Sequence, residues 1–170
     1  MNENIVTPRL VLGVIKSEDR DALVEIFKND AVKATYMLPD LNDEKSETKL
    51  FERIRALSES EETFVRGIFL ENSIIGIINE TERIGKTVEL GYAIHPRYHS
   101  KGYATEALGA AIEYLFCKGS DTIVAGAFEE NIASIRVMQK CGMKKADKVD
   151  EIDYREKTHR CVYYTIEQKQ

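Results

Sequence analysis

The pattern of apolar and polar positions along the chain predicts four amphipathic helices. The clearest begins at Ala104, where apolar side chains recur at helical spacing, at Ala104, Ala107, Leu108, Ala111, Ile112 and Leu115. Ser17 is a typical N-cap for an earlier helix, and Gly142 is a typical residue just past the end of a later one. The predicted helices run from Ser17 to Phe27, from Asp43 to about Leu57, from Ala104 to Phe116 and from Asn131 to Cys141.

Stretches rich in β-branched and aromatic residues predict strands between and around these helices. They cover residues 9–15, 64–70, 74–79, 87–94, 122–128, 143–148 and 160–167. Short polar stretches at 71–73 and 83–86 are typical of hairpin turns, and a polar loop is predicted between the last two strands. Residues 31–41 are predicted to be irregular. The order β-α-α-β-β-β-α-β-α-β-β predicts an α/β fold around a mixed sheet.

Length and composition fit one globular domain over residues 1–170, because no stretch looks like a linker. No apolar run is long enough for a membrane span, and the N-terminus lacks the pattern of a secretion signal. A net charge of −5 argues against a dedicated nucleic-acid binder. Three cysteines without metal-ligand spacing indicate reduced thiols in a cytoplasmic protein, and no metal site is expected.

The stretch from residue 89 to residue 107 carries the first sign of chemistry. A strand there leads through a loop containing Gly102 into a helix, whose first N–H groups lack intrahelical partners and attract anions. Strand alternation places Glu89 with the small residues Gly91 and Ala93 on the face opposite the core. From these residues alone, an ordinary strand-to-helix turn is as good an interpretation of the loop as an anion site. A solvent-facing carboxylate is likewise as good an interpretation of Glu89 as a functional one.

Two segments make the chain similar to a known family over residues 7–167. His99-Ser100-Lys101-Gly102-Tyr103-Ala104 resembles the Gln/Arg-x-x-Gly-x-Gly/Ala motif of the GNAT superfamily of acyl-CoA N-acyltransferases. Residues 131–143 resemble the N-x-x-S-x-x-V-x-x-K-x-G-F segment of its RimJ/RimL branch of ribosomal-protein N-terminal acetyltransferases. His99 and Ser100 depart from the usual Gln/Arg and from the frequent glycine. The resemblance implies a central mixed sheet of about seven strands, splayed between the fourth and fifth and flanked by about four helices.

The resemblance also implies a binding site for acetyl-CoA as the acyl donor. Main-chain amides would hold its pyrophosphate at Ser100, Lys101, Gly102, Tyr103, Ala104 and Thr105, with Lys101 or Arg97 adding charge. The pantetheine arm would lie along Tyr92, Ala93 and Ile94. Asn131 would meet the pantetheine amides, cap the following helix, or do both.

For catalysis, the resemblance implies a base for the acceptor amine and a hydrogen-bond donor for the leaving thiolate. Glu89 is the candidate base, directly or through a water. Ser134 is the candidate donor, because Met138 occupies the place where many relatives have a tyrosine, and it ranks above Tyr92 and Tyr103. The alternative for Ser134 is a hydroxyl that bonds within its own helical turn.

The reaction implied is acetyl transfer from acetyl-CoA directly to a primary amine, with a protein N-terminal α-amine as the first hypothesis. A small amine, such as an antibiotic, a polyamine or an amino-acid derivative, is the second. A non-catalytic acyl-CoA-binding module is an alternative of another class, kept open by Met138. Residues 36–38, the charged second helix and the loop around Asp153-Tyr154 would shape the acceptor site, and a homodimer is a family-level expectation.

Overall fold

The computed structural model describes residues 3–169, which form an eight-stranded sheet and five α-helices. In chain order these elements are β1 (Ile5–Val6), β2 (Val11–Gly13), α1 (Arg20–Lys28), α2 (Asp30–Thr35), α3 (Glu44–Glu59), β3 (Val65–Leu70), β4 (Ser73–Ile84), β5 (Thr87–Ile94), α4 (Tyr103–Cys117), β6 (Thr122–Phe128), α5 (Ile132–Lys140), β7 (Lys144–Tyr154) and β8 (Lys157–Glu167). No helix among these residues is long and apolar enough to cross a membrane.

All four predicted helices form, but Ser17 is not the N-cap of the first, because it begins a short 3₁₀ turn and Asp19 precedes α1. Asp43 caps α3 by accepting a hydrogen bond from the Ser46 amide at 2.7 Å. Gly142, just past α5, has a φ of +81°, the left-handed conformation that favours glycine at that place. Residues 31–41 are not irregular throughout, since α2 occupies the first part. Asn29 accepts hydrogen bonds from two amides of α2, whose six residues bury only Val32 and so show no apolar period.

The sheet has one strand more than predicted, and several strands are longer. The added strand is β1, and the first predicted strand is shorter, spanning only β2. Strand β4 continues to Ile84 through a half that is polar and exposed, so hydrophobic alternation did not mark it. The predicted polar loop before residue 160 is instead a hairpin: β7 and β8 pair up to Tyr154 and Lys157, and the two turn residues both have positive φ.

The strand order is β1-β2-β3-β4-β5-β6-β8-β7, mixed because β5 and β6 are parallel. A core lies on each face. Helix α4 packs its small apolar face, including Ala107 and Ala111, against Val88 and Leu90 of β5. Helices α1, α2 and α3 cover the opposite face, where Ala93 of β5 packs with residues such as Phe27. The predicted alternation along β5 is therefore correct.

Strands β5 and β6 separate part-way along their length, as predicted for the fourth and fifth strands. Their register runs from Thr87–Thr122 to Leu90–Ala125 and goes no further, although β5 continues to Ile94 and β6 to Phe128. Backbone groups of Gly91 to Ile94 on the β6 side therefore leave the strand ladder and become available to another partner.

Candidate functional site

A cleft of about 450 Å³ opens where β5 and β6 separate. Helices α2, α4 and α5 and the end of β5 line it, and their lining residues include Val32, Thr35, Tyr92, Ala93, Ile94, Ser100, Gly102, Tyr103, Ala104, Thr105, Asn131 and Ser134. The structure thus brings together every candidate site residue from the sequence except Glu89 and Lys101. No carboxylate is among the lining residues, all of which lie within the described range, so the cleft suits an anion.

The start of α4 forms the anion-attracting end of the cleft. Gly102 precedes the helix with a φ of +81°, and the Ser100 backbone has a φ of +60°. A residue other than glycine in the left-handed region costs roughly 1 kcal/mol or more, so the Ser100 backbone is strained in this loop. The first-turn amides of Tyr103, Ala104 and Thr105 have no intrahelical acceptor and lie beside the cleft.

The cations beside the cleft differ from those predicted. The Lys101 ammonium lies 5.8 Å from the centre of the Tyr98 ring, and Arg97 lies near Glu25, with 70% of its side chain exposed. Arg136 and Lys140 of α5 line the cleft instead. Their spacing of four residues places them on one face of the helix. This spacing is visible in the sequence, but it does not by itself indicate a ligand.

A histidine ties the loop to the open end of β5. The His99 Nε2 atom lies 2.7 Å from the Ile94 carbonyl oxygen. Because a carbonyl can only accept, Nε2 carries the hydrogen in this contact. His99 therefore holds the loop before α4 against the strand.

Two hydroxyl groups meet inside the cleft. The Tyr92 Oη atom lies 2.8 Å from Ser134 Oγ and 3.2 Å from the Ser134 carbonyl oxygen. Burial raises the pKa of Tyr92 to about 12, so its hydroxyl stays protonated at neutral pH. Asn131 accepts a hydrogen bond from the Ser134 amide at 3.2 Å, so it caps α5 while it lines the cleft. Met138 is fully buried in the core and does not face the cleft.

Glu89 lies on the other face of β5, outside the cleft lining. Its half-buried carboxylate accepts a hydrogen bond from Thr81 Oγ1 at 3.2 Å. Burial raises the pKa of Glu89, although the Thr81 hydroxyl and the Lys148 charge oppose the shift. Next to it, the Gly91 position is crowded, because a Cβ there would lie 3.1 Å from Thr81 Cγ2 and 3.7 Å from an atom of Tyr36.

Two of the three segments predicted to shape an acceptor site, residues 36–38 and the stretch around Tyr154, contact each other. The Tyr154 hydroxyl donates to the Lys33 carbonyl at 2.6 Å and accepts from the Leu38 amide at 3.3 Å. Arg155, in the hairpin turn, pairs with Asp40 at 2.9 Å. The β7–β8 hairpin tip is therefore bound to the segment between α2 and α3. Within residues 3–169, no group of His, Cys, Asp or Glu side chains could hold a metal ion.

Comparison with known proteins gives one consistent family. The family model described as "Acetyltransferase (GNAT) domain" matches residues 9–144. An uncharacterized N-acetyltransferase of Bacillus subtilis, YnaD, is 32% identical over 144 residues, which cover 84% of this chain and 83% of the relative. A GNAT-family acetyltransferase structure from Bacillus anthracis is 25% identical with a TM-score of 0.82, covering 97% of this chain and 98% of the other.

A structure of RimL, a ribosomal L7/L12 α-N-protein acetyltransferase in complex with coenzyme A, has a similar fold. Its TM-score is 0.85 at 20% identity, over 97% of this chain and 98% of that one. At this identity the likeness is one of fold.

Proposed function

The chain belongs to the GNAT acetyltransferase family and is an N-acetyltransferase; from that premise we propose that its single domain, residues 1–170, moves an acetyl group from acetyl-CoA directly to a primary amine. The observation that carries the proposal is the meeting of two features in one cleft. An anion-attracting helix start, at Gly102 to Thr105, adjoins the open backbone edge of β5. A pyrophosphate joined to a chain of amides matches both features.

The donor would lie across the cleft in a fixed direction. First-turn amides of α4 would bind the pyrophosphate, and the cations of Arg136 and Lys140 at the mouth would attract the phosphates. The pantetheine amides would pair with the backbone of Tyr92 to Ile94, replacing the ladder that β6 leaves. A main-chain N–H at this edge would then donate to the thioester oxygen and stabilise the tetrahedral oxyanion.

The acceptor would approach from the Glu89 face. An ammonium, with a pKa of about 8 at a protein N-terminus and about 10 for an aliphatic side-chain amine, must lose a proton before its nitrogen can attack the thioester carbon. Glu89 would accept that proton, directly or through a water. Partial burial supports this role, because it raises the carboxylate's pKa and makes it a stronger base.

As the C–S bond breaks, the CoA thiolate would leave toward Ser134. The Ser134 hydroxyl would donate a hydrogen bond to the sulfur, and the single hydrogen of Tyr92 Oη would turn from the Ser134 carbonyl oxygen, 3.2 Å away, to Ser134 Oγ, 2.8 Å away. With its pKa raised to about 12, Tyr92 would keep its own proton and hold the serine hydrogen toward the sulfur. The Tyr92–Ser134 pair would thus supply the hydrogen bond that the family resemblance assigns to a tyrosine at the position of Met138.

Two acceptor classes follow from different observations. A protein N-terminal α-amine is favoured by the resemblance to the RimJ/RimL branch and by the fold shared with RimL. A small amine is favoured by the Tyr154 and Arg155 contacts with residues 33–40, because an acceptor must fit beneath this bridge or displace it.

A thiol-release assay tests the proposal and separates these classes. The purified chain is given acetyl-CoA and two sets of acceptors, short peptides with free N-termini and small amines, and free CoA thiol is measured. Release with peptides supports the first acceptor class, and release with small amines supports the second. Binding of acetyl-CoA without release for any acceptor would favour the non-catalytic module instead.

A further inference from the structure

Arg9, between β1 and β2, makes a dense set of contacts with the start of α4 although it does not line the cleft. Its Nε atom donates to Glu106 Oε2 at 2.6 Å, and its Nη1 atom donates to the Lys101 carbonyl at 2.8 Å. The Arg9 main-chain amide also donates to Glu106 Oε1 at 2.9 Å. The guanidinium lies over the Tyr103 ring, 4.6 Å from its centre.

The loop that Arg9 holds is strained. Ser100 and Gly102 both have positive φ, at +60° and +81°, and Lys101 lies between them. Helical or strand hydrogen bonds do not fix this conformation, because the loop lies between β5 and α4. The bond from Arg9 Nη1 to the Lys101 carbonyl fixes the middle of the loop, and with it the direction of the amides that follow.

Arg9 also balances a charge in the first turn of α4. The Glu106 carboxylate belongs to the same turn as the first-turn amides, so it would repel an anion bound there. Burial raises the pKa of Glu106, but hydrogen bonds from Thr7 and Arg9 outweigh that effect and lower it, so this carboxyl stays ionised. The Arg9 cation, paired at 2.6 Å, offsets this negative charge next to the anion site.

We propose that Arg9 is a positioning residue for the pyrophosphate of the acyl donor, acting through the Lys101 carbonyl and the Glu106 carboxylate; this inference rests on the proposed function. It assigns Arg9 the electrostatic task that the sequence analysis gave to Lys101 or Arg97. Arg9 does so without lining the donor cleft, by shaping the loop and neutralising the carboxylate behind it.

The test compares two ligands that differ in the pyrophosphate. Dissociation constants for CoA and for pantetheine, which lacks the pyrophosphate and nucleotide, are measured by calorimetry for the parent chain and for Arg9→Met. Because Arg9 makes charge-assisted bonds at a partly exposed site, we expect CoA affinity to fall about tenfold and pantetheine affinity to change by less than about twofold. Arg55→Met is the matched control, since it removes Arg55 ion pairs with Glu52 and Glu59 on α3, away from the cleft, and should change neither constant.

Two further variants keep the test decisive. Arg9→Lys keeps the charge but cannot reach both partners, so its CoA affinity should lie between those of the parent and Arg9→Met. If the methionine variant is too unstable to measure, Arg9→Lys should still bind CoA more weakly than the parent. Arg9→Met with Glu106→Gln should bind CoA better than Arg9→Met alone, because it removes the uncompensated charge. Equal weakening of both ligands, or no weakening of CoA, would overturn the role of Arg9. Failure of the parent itself to bind CoA would instead refute the proposed donor.

Discussion

The Tyr92–Ser134 hydroxyl pair gives a quantitative prediction about departure of the thiolate. Tyr92→Phe removes only the Oη atom and leaves the ring that packs against the core. The lost contacts are those of Tyr92 Oη with Ser134 Oγ at 2.8 Å and with the Ser134 carbonyl oxygen at 3.2 Å, which share one tyrosine hydrogen in a partly buried site. Such a bond contributes about 0.5–1.5 kcal/mol. If that energy acts in the transition state, kcat should fall by roughly 2- to 12-fold, at 1.36 kcal/mol per factor of ten.

A double-mutant cycle decides whether Tyr92 acts through Ser134. Tyr92→Phe, Ser134→Ala and the double variant are compared by thiol release at saturating acetyl-CoA, with CoA affinity measured separately. We expect Ser134→Ala to cause the larger loss, and Tyr92→Phe to add little in its presence, because the hydroxyl it positions is gone. CoA affinity should stay near that of the parent. Independent, multiplying losses, or an unchanged kcat for Tyr92→Phe, would refute the pairing.

Other residues give sharper tests of separate parts of the site. Glu89→Gln should lower kcat/KM by roughly 100-fold or more, the usual size of a general-base effect. The rate of the parent should fall as the pH drops through the raised Glu89 pKa, because the protonated carboxyl cannot accept a proton. A pH–rate profile of the parent without this fall would argue for another base. Gly102→Ala places a Cβ at a φ of +81°, 3.2 Å from Arg9 Nη2. It should lower the free energy of unfolding in urea by about 1–2 kcal/mol and weaken CoA binding. A variant with the stability and the CoA affinity of the parent would contradict the loop geometry. Met138→Tyr should lower the melting temperature, because overpacking a fully buried site costs about 1–3 kcal/mol. It should not raise kcat. A variant that is stable and faster than the parent would show that a side chain at this position reaches the thiolate.

The sequence predicted what depends on local pattern. It predicted the periodicity of α4, the Asn131 cap and the central strand β6, because each of these depends on residues that are close together in the chain. Helix α2 was missed because six residues with one buried side chain carry no period. Both strands of the β7–β8 hairpin were predicted in part, but residues 149–159 were predicted as a loop because that stretch is polar and mostly exposed.

The candidate site was predictable only in part, for a similar reason. Most residues that line the cleft lie in two segments, 92–105 and 131–140, each of which has its own pattern, and the others come from α2. The contacts that organise those segments are not local: Arg9 and Glu106 are 97 residues apart, and Tyr92 and Ser134 are 42 apart. No spacing rule connects such positions, so their pairing becomes visible only once the sheet is assembled.

The most direct test of the account is the balance of products from one incubation. The purified chain is mixed with acetyl-CoA and the best acceptor from the amine panel, and mass spectrometry follows both free CoA and the acetylated amine. The account predicts that the two appear at equal rates, and that both rates fall together in Glu89→Gln. CoA released without acetylated amine, or tight acetyl-CoA binding with no release for any acceptor, would contradict direct transfer to an amine.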